Sequence, residues 1–168
     1  MLKIYIMKHL IFLFSLLIIT SINAQNFEGK GDKKMQIGAN FQNNSTGIVM
    51  TYDYGLGENI SMGLLGTYAL DISNIDADFG DRIDVRLRFN ANIGNVLKID
   101  DKFDLYPGIS LGLKNFGGHL GMRYFFTDGF GIFTEFGTPF AKYKTGDLTP
   151  AEEIQNQFTL NFGAVFNL

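Results

Sequence analysis

Residues 82–93 read RIDVRLRFNANI, and their alternation decides the fold. Ile83, Val85, Leu87, Phe89, Ala91 and Ile93 occupy every second position, with Arg82, Asp84, Arg86, Arg88, Asn90 and Asn92 between them. Successive side chains of a β-strand point to opposite faces. The stretch therefore predicts a strand with one apolar face and one densely charged face. A helix would mix the two sets on every side, because its period is 3.6.

The same period of two runs outward in both directions. Upstream, Met35-Ile37-Ala39-Phe41 alternates with Lys34-Gln36-Gly38-Asn40, and Ile48-Met50-Tyr52-Tyr54 with Val49-Thr51-Asp53-Gly55. Ile60, Met62, Leu64, Gly66, Tyr68 and Leu70 form a third run. Downstream, Leu105, Ile109, Leu111 and Leu113 oppose Asp104, Tyr106, Ser110 and Lys114, and Leu120-Met122-Tyr124-Phe126 opposes His119-Gly121-Arg123-Phe125. Phe130, Ile132 and Phe136 oppose Gly131, Phe133 and Glu135, and a last run carries Phe158, Leu160, Phe162, Ala164, Phe166 and Leu168 on one face. A weak helical turn at residues 151–154 is the one exception.

Eight strands of about 10–14 residues exceed the usual 5–6 of soluble sheets and match strands that cross a bilayer at a tilt. Hydrocarbon offers no partner for open backbone groups, so such strands must close. The expected fold is all-β: an eight-stranded antiparallel up-and-down transmembrane β-barrel. The rival is a soluble lipocalin-like barrel, apolar within and polar without. Four arginines confined to polar faces, and a last strand whose polar face holds small or amide groups, favour a narrow polar lumen and a lipid-facing exterior.

Composition agrees. The chain has 168 residues, 20 Gly, 17 Phe, no Cys and a net charge of −3. One domain fits that length. Zero Cys excludes disulfides and thiolate metal sites, and the acidity argues against a nucleic-acid partner. The first residues read as an address. Lys8-His9 precede the apolar run of residues 10–19, and Ser21-Ile22-Asn23-Ala24 supplies a small residue at the cut. Residues 1–24 are expected to be a signal peptide and 25–168 the barrel. Cleavage removes Lys3 and Lys8 and no acid, taking the net charge to −5.

Residues 121–137, GMRYFFTDGFGIFTEFG, resemble a hairpin of small outer-membrane β-barrel proteins of Bacteroidetes-type bacteria, which read G-x-R-Y-F-x-T/S-D-x-F-G-x-F-x-E. Ala24-Gln25 resembles their signal cleavage. The resemblance implies an OmpA/OmpX-like barrel in the outer membrane of a Gram-negative cell, and no defined activity. Their final residue, commonly Phe, is read by the barrel-insertion machinery. This chain departs in ending on Leu168, with Phe166 on the same face. That machinery is the expected partner of strand 158–168, from Phe158 to Leu168, and the bilayer is the other; the barrel is expected to be a monomer.

Small barrels are filled by their own side chains. Arg82, Asp84, Arg86, Arg88, Arg123, Glu135, Asp53 and Asp104 are thus expected to form a polar lumen cluster, read as a salt-bridged plug in preference to an ion path. Parity within the 121–137 hairpin calls for an odd loop. A loop over 128–130 sets Arg123 opposite Glu135; one over 127–129 sets Arg123 opposite Phe133 with Glu135 diagonal. Either way the two charges are expected to pair. His119 is the lone histidine after the signal. A lipid-modifying hydrolase needs a His beside Ser and an acid, with Ser110 and Glu135 the nearest options; the expectation is no catalysis. No cofactor and no metal are expected, because Asp76, Asp78 and Asp81 lack the spacing of a Ca²⁺ loop. With the N-terminus in the periplasm, loops near 43–47, 71–81, 114–118 and 144–156 face outward. The resulting function is a non-enzymatic outer-membrane barrel with a structural or surface-interaction role; the alternative is an OmpW-like carrier or narrow channel.

Overall fold

Alternation of this kind buries one face only if the sheet curls until its two edge strands meet. In the computed structural model, which describes residues 27–72 and 76–168, they do. The strands are β1 (Lys33–Gln42), β2 (Ser45–Gly55), β3 (Ile60–Ile72), β4 (Ile83–Ala91), β5 (Phe103–Gly112), β6 (Asn115–Thr127), β7 (Phe130–Lys142) and β8 (Thr159–Asn167). Each pairs antiparallel with the next, and β1 with β8, closing the barrel. One-turn helices α1 (Phe79–Arg82), α2 (Gly94–Leu97) and α3 (Pro150–Glu153) lie in the connections. The expected signal segment 1–24 lies outside the described residues.

Register keeps the faces together. Met62 pairs with Phe89 and Leu64 with Leu87, while Leu87 meets Leu111 and Phe89 meets Ile109 on the other side. A slip by one residue would turn every arginine of β4 outward. The burial is inverted relative to a soluble protein. Leu64, Ile48, Met50 and Phe162 are 57%, 51%, 54% and 53% exposed, whereas Arg88 and Arg123 are 1% exposed. A minority of lumen positions is apolar, and Val49, Leu65, Phe125, Phe133 and Val165 pack together inside.

Three local expectations are corrected. The first concerns the β6–β7 link, a two-residue Asp128-Gly129 turn with Thr127 paired to Phe130. Parity is restored by a bulge at Phe126: Phe125 pairs with Gly131, so one residue of β6 has no counterpart. Arg123 therefore stands opposite Phe133 with Glu135 diagonal, opposite Gly121, which is the register expected of a 127–129 loop; only the length of the turn differs. Second, residues 115–118 belong to β6 and leave 113–114 as the turn, because glycines at 117 and 118 let the strand continue tightly against β7. Third, β2 begins at Ser45 and leaves Asn43-Asn44 as the turn. Asn44 takes a φ of 58°, a conformation that Asn tolerates.

Candidate functional site

Five strands contribute charge to the middle of the lumen. Asp53 of β2 lies between two guanidinium groups: its Oδ1 is 3.2 Å from Arg88 Nε, and its Oδ2 accepts from Arg123 Nη2. Arg88 Nη2 donates to Glu135 Oε2 at 2.7 Å, and Arg123 Nη1 to Asp104 Oδ2 at 3.2 Å. Arg86 Nε donates to Asp84 Oδ2 at 2.6 Å. Buried charges on this scale persist only when paired, because each carries a desolvation cost of several kcal/mol that geometry must offset. Here every carboxylate has a guanidinium.

Tyr106 of β5 reaches across this network. Arg123 stacks on its ring, with Cζ 3.8 Å from the centroid, and Arg88 lies 5.5 Å from it. The hydroxyl accepts from Gln36 Nε2 at 3.0 Å, and Gln36 Oε1 accepts from Thr51 Oγ1 at 2.6 Å. The ring finds space because its ladder partner is Gly121, where a Cβ would overlap Tyr106 Cζ, Cε2 and Oη. Tyr106 thus wedges the barrel from β5 to β1.

Above this layer a cavity of about 10 Å³ is lined by residues including Arg86, Arg88, Ser110, His119, Glu135 and Asn161. It has room for roughly one water molecule. His119 Nε2 stands 2.7 Å from Asn90 Oδ1. Glu135 Oε1 accepts from Asn161 Nδ2 at 3.3 Å, so its carboxylate is shared between Asn161 and Arg88. Among the described residues no group of three or more His, Cys, Asp or Glu is placed to hold a metal ion.

Both mouths are covered. At the end opposite the termini, the segment after α3 folds into the opening: Ile154, Gln155 and Asn156 are buried. The Gln155 carbonyl accepts from Arg86 Nη2 and Asn115 Nδ2, each at 2.8 Å, and its N–H donates to Gln42 Oε1 at 2.8 Å. A φ of 68° at Gln155 aims both groups into the wall. Half-buried Lys114 donates to the carbonyls of Asp81 and Ile154, and burial pushes its ammonium below the ordinary lysine value. At the other end Phe27 is buried, Lys34 Nζ lies over the Phe125 ring at 5.1 Å, and the same ammonium donates to Asp32 and Asn167.

Of the eight residues expected in the cluster, the structure brings Asp53, Asp84, Arg86, Arg88, Asp104, Arg123 and Glu135 into the lumen. Arg82 lies outside it. It ends α1, and its guanidinium donates to the carbonyls of Ala69, Leu70 and Ala77 on the rim. The helical turn takes it out of the ladder although the alternation passes through it. The expected Arg123–Glu135 pair is also replaced: Glu135 goes to Arg88, and Arg123 to Asp53 and Asp104. Tyr106, Gln36, Asn40 and Asn161 were readable as lumen positions from parity alone. Gln155 had no such signal, since it sits in a connection without a period.

The matching family model is "Family of unknown function (DUF6646)", over residues 17–168. No curated protein matches the chain. Among solved structures, a chain described as "De novo design of transmembrane beta-barrels" is similar, with a TM-score of 0.57 and 9% identity. The alignment covers 84% of this chain and 99% of that one. At such low identity the likeness is one of fold: a closed eight-stranded barrel. The chain belongs to the DUF6646 family.

Proposed function

We propose that this member of the family is a non-enzymatic outer-membrane β-barrel with a structural or surface-interaction role, its lumen filled by its own side chains. One observation carries the reading: large aliphatic and aromatic side chains face outward on every strand, while Arg86, Arg88 and Arg123 are sealed within together with Asp53, Asp84, Asp104 and Glu135. Water as the surrounding solvent would favour the opposite arrangement. A bilayer makes it the stable one, and strands of 9–13 residues suit the thickness. A plug is supported over a conduit by the salt-bridged layer across the lumen, by the room for about one water in the cavity beside Arg88 and His119, and by the buried Gln155 and Lys34 at the two mouths.

The outer-membrane address rests on the N-terminal signal pattern and on β8, whose Phe162 and Phe166 follow the outward face to Leu168. In this reading the insertion machinery takes the last strand and the folded barrel remains a monomer. The test is refolding of the 25–168 chain with liposomes. Co-flotation and a folded form that migrates differently before and after heating are expected, with no unitary conductance in planar bilayers. Discrete conductance steps would overturn the plug, and failure to float would overturn the membrane reading. A His119→Ala strain with unchanged lipid A composition is expected; altered lipid A would overturn the non-enzymatic assignment.

A further inference from the structure

Three connections lie at the end that carries both termini: residues 56–59, 92–102 and 128–129. Two are tight turns. The third is long, and its middle is apolar: Val96, Leu97 and Ile99 are 60%, 46% and 65% exposed. Leu64, in the centre of the outward belt, is 57% exposed. The connection is not loosely held. Ile93 N–H donates to the Leu105 carbonyl and Asn92 N–H to the Asn59 carbonyl, each at 2.8 Å, which continues the ladder past Ala91. α2 is then tied on its inner side, where Gly94 is buried and Asn95 Nδ2 donates to the Phe27 carbonyl at 2.7 Å. Its aliphatic residues are left uncovered. Lys98, with a φ of 51°, closes the helix and turns Ile99 back, and the charges of Asp100, Asp101 and Lys102 follow.

The level of this element follows from the strands. From Ile60 to Leu70 on the outward face of β3 there are ten residue steps, about 33 Å along the strand and about 25 Å in height at a tilt near 40°. That is about the height of the apolar band of a membrane barrel. Ile60 pairs with Ala91, so the connection begins where the band ends. It returns at Phe103, paired with Tyr124, beside the aromatic chain Tyr124–Phe126–Phe130–Phe166, whose neighbouring rings lie 5.6–6.1 Å apart. Aromatic residues collect at the headgroup level of membrane barrels.

We infer that residues 94–99 form an interfacial foot: Val96, Leu97 and Ile99 insert into the headgroup–acyl boundary of the leaflet on the terminus side. Asp100, Asp101 and Lys102 stay in water. The occupant is lipid, because the apolar side is continuous with the outward belt and lies at the band's edge. The inference rests on the membrane reading above.

The chain has no tryptophan, so single-tryptophan variants report without background. Leu97→Trp and Leu64→Trp are placed in the full barrel, in liposomes of phosphatidylcholine with or without brominated acyl chains. For Leu97→Trp we expect blue-shifted emission, loss of intensity to bromine near the carbonyl, and little quenching by aqueous acrylamide. Leu64→Trp should be quenched by bromine deep in the chain. A Leu97→Trp signal open to acrylamide and untouched by bromine, with Leu64→Trp quenched by lipid, overturns the foot and leaves the barrel in the membrane. The same water-exposed signal becoming shielded in native membranes would assign the patch to a protein partner and also overturn the foot. Loss of lipid quenching at both positions overturns the foot together with the membrane reading.

Discussion

Tyr106 stands directly across the β5–β6 ladder from Gly121, and its ring occupies the volume that any side chain at 121 would need. The ring cannot swing away, because Arg123 stacks on it and Gln36 holds its hydroxyl. Gly121→Ala is therefore expected to overpack the lumen and to cost about 1–3 kcal/mol, read as a lowered urea midpoint in vesicles. Tyr106→Ala in the same chain should recover part of that loss. No recovery would mean that the clash lies elsewhere.

Arg88 and Glu135 meet at 2.7 Å with both side chains almost fully buried. Removing either partner leaves an uncompensated charge, a loss of roughly 3–5 kcal/mol. The double mutant is expected to lose clearly less than the sum. An Arg123/Glu135 cycle should show a weaker coupling, since Arg123 is held by Asp53 and Asp104. The reverse order of coupling would refute the pairing described above.

Leu64 and Ile60 on β3 are 57% and 56% exposed, so in water Arg at either site would be nearly neutral. In a bilayer their depths differ. Leu64→Arg is expected to cost about 2–4 kcal/mol near the midplane, and Ile60→Arg about 0–1 near the interface. Equal small effects in vesicles would place the outward face in water.

Glu152 ties the mouth loop together through three hydrogen bonds, one from Lys144 and two from Thr149. The hydrogen bond from Lys144 Nζ at 2.7 Å, followed by those from Thr149, draws its carboxyl down from 4.5 to about 2. A depressed carboxylate stabilises above its unfolded value and loses that contribution as pH falls from about 4.5 through about 2. The group is exposed, so salt should weaken the effect. Lys144→Ala is expected to raise the Glu152 titration midpoint, followed by carboxyl NMR shifts. An unchanged midpoint would show that the capping box alone sets it.

Arg86 and Asn115 both donate to the Gln155 carbonyl. Arg86→Ala should loosen the 151–157 segment, seen as faster amide exchange there with β1–β8 protected. Uniform acceleration throughout the barrel would instead mark Arg86 as part of the global fold.

The faces of all eight strands were legible because parity survives any error in loop length. Which charges meet was less so: one of the two expected registers, Arg123 opposite Phe133, is the one found, but Glu135 pairs with Arg88 and Arg123 with Asp53, contacts across the lumen that ladder register does not specify. Arg82 shows the same limit: a four-residue helix removed it from a run that continues in the sequence. Tyr106 was visible as a lumen residue, but its wedge role depends on a glycine fifteen positions away becoming its neighbour. Gln155 lies beyond period-based reading, because backbone carbonyls in a connection leave no side-chain signature.

The most direct measurement is density-gradient fractionation of cells expressing the full chain, followed by alkaline extraction of the membranes. Recovery in the outer-membrane fraction is expected, resistant to extraction, with the chain beginning at Gln25. Recovery as a soluble periplasmic protein without detergent would contradict the membrane reading.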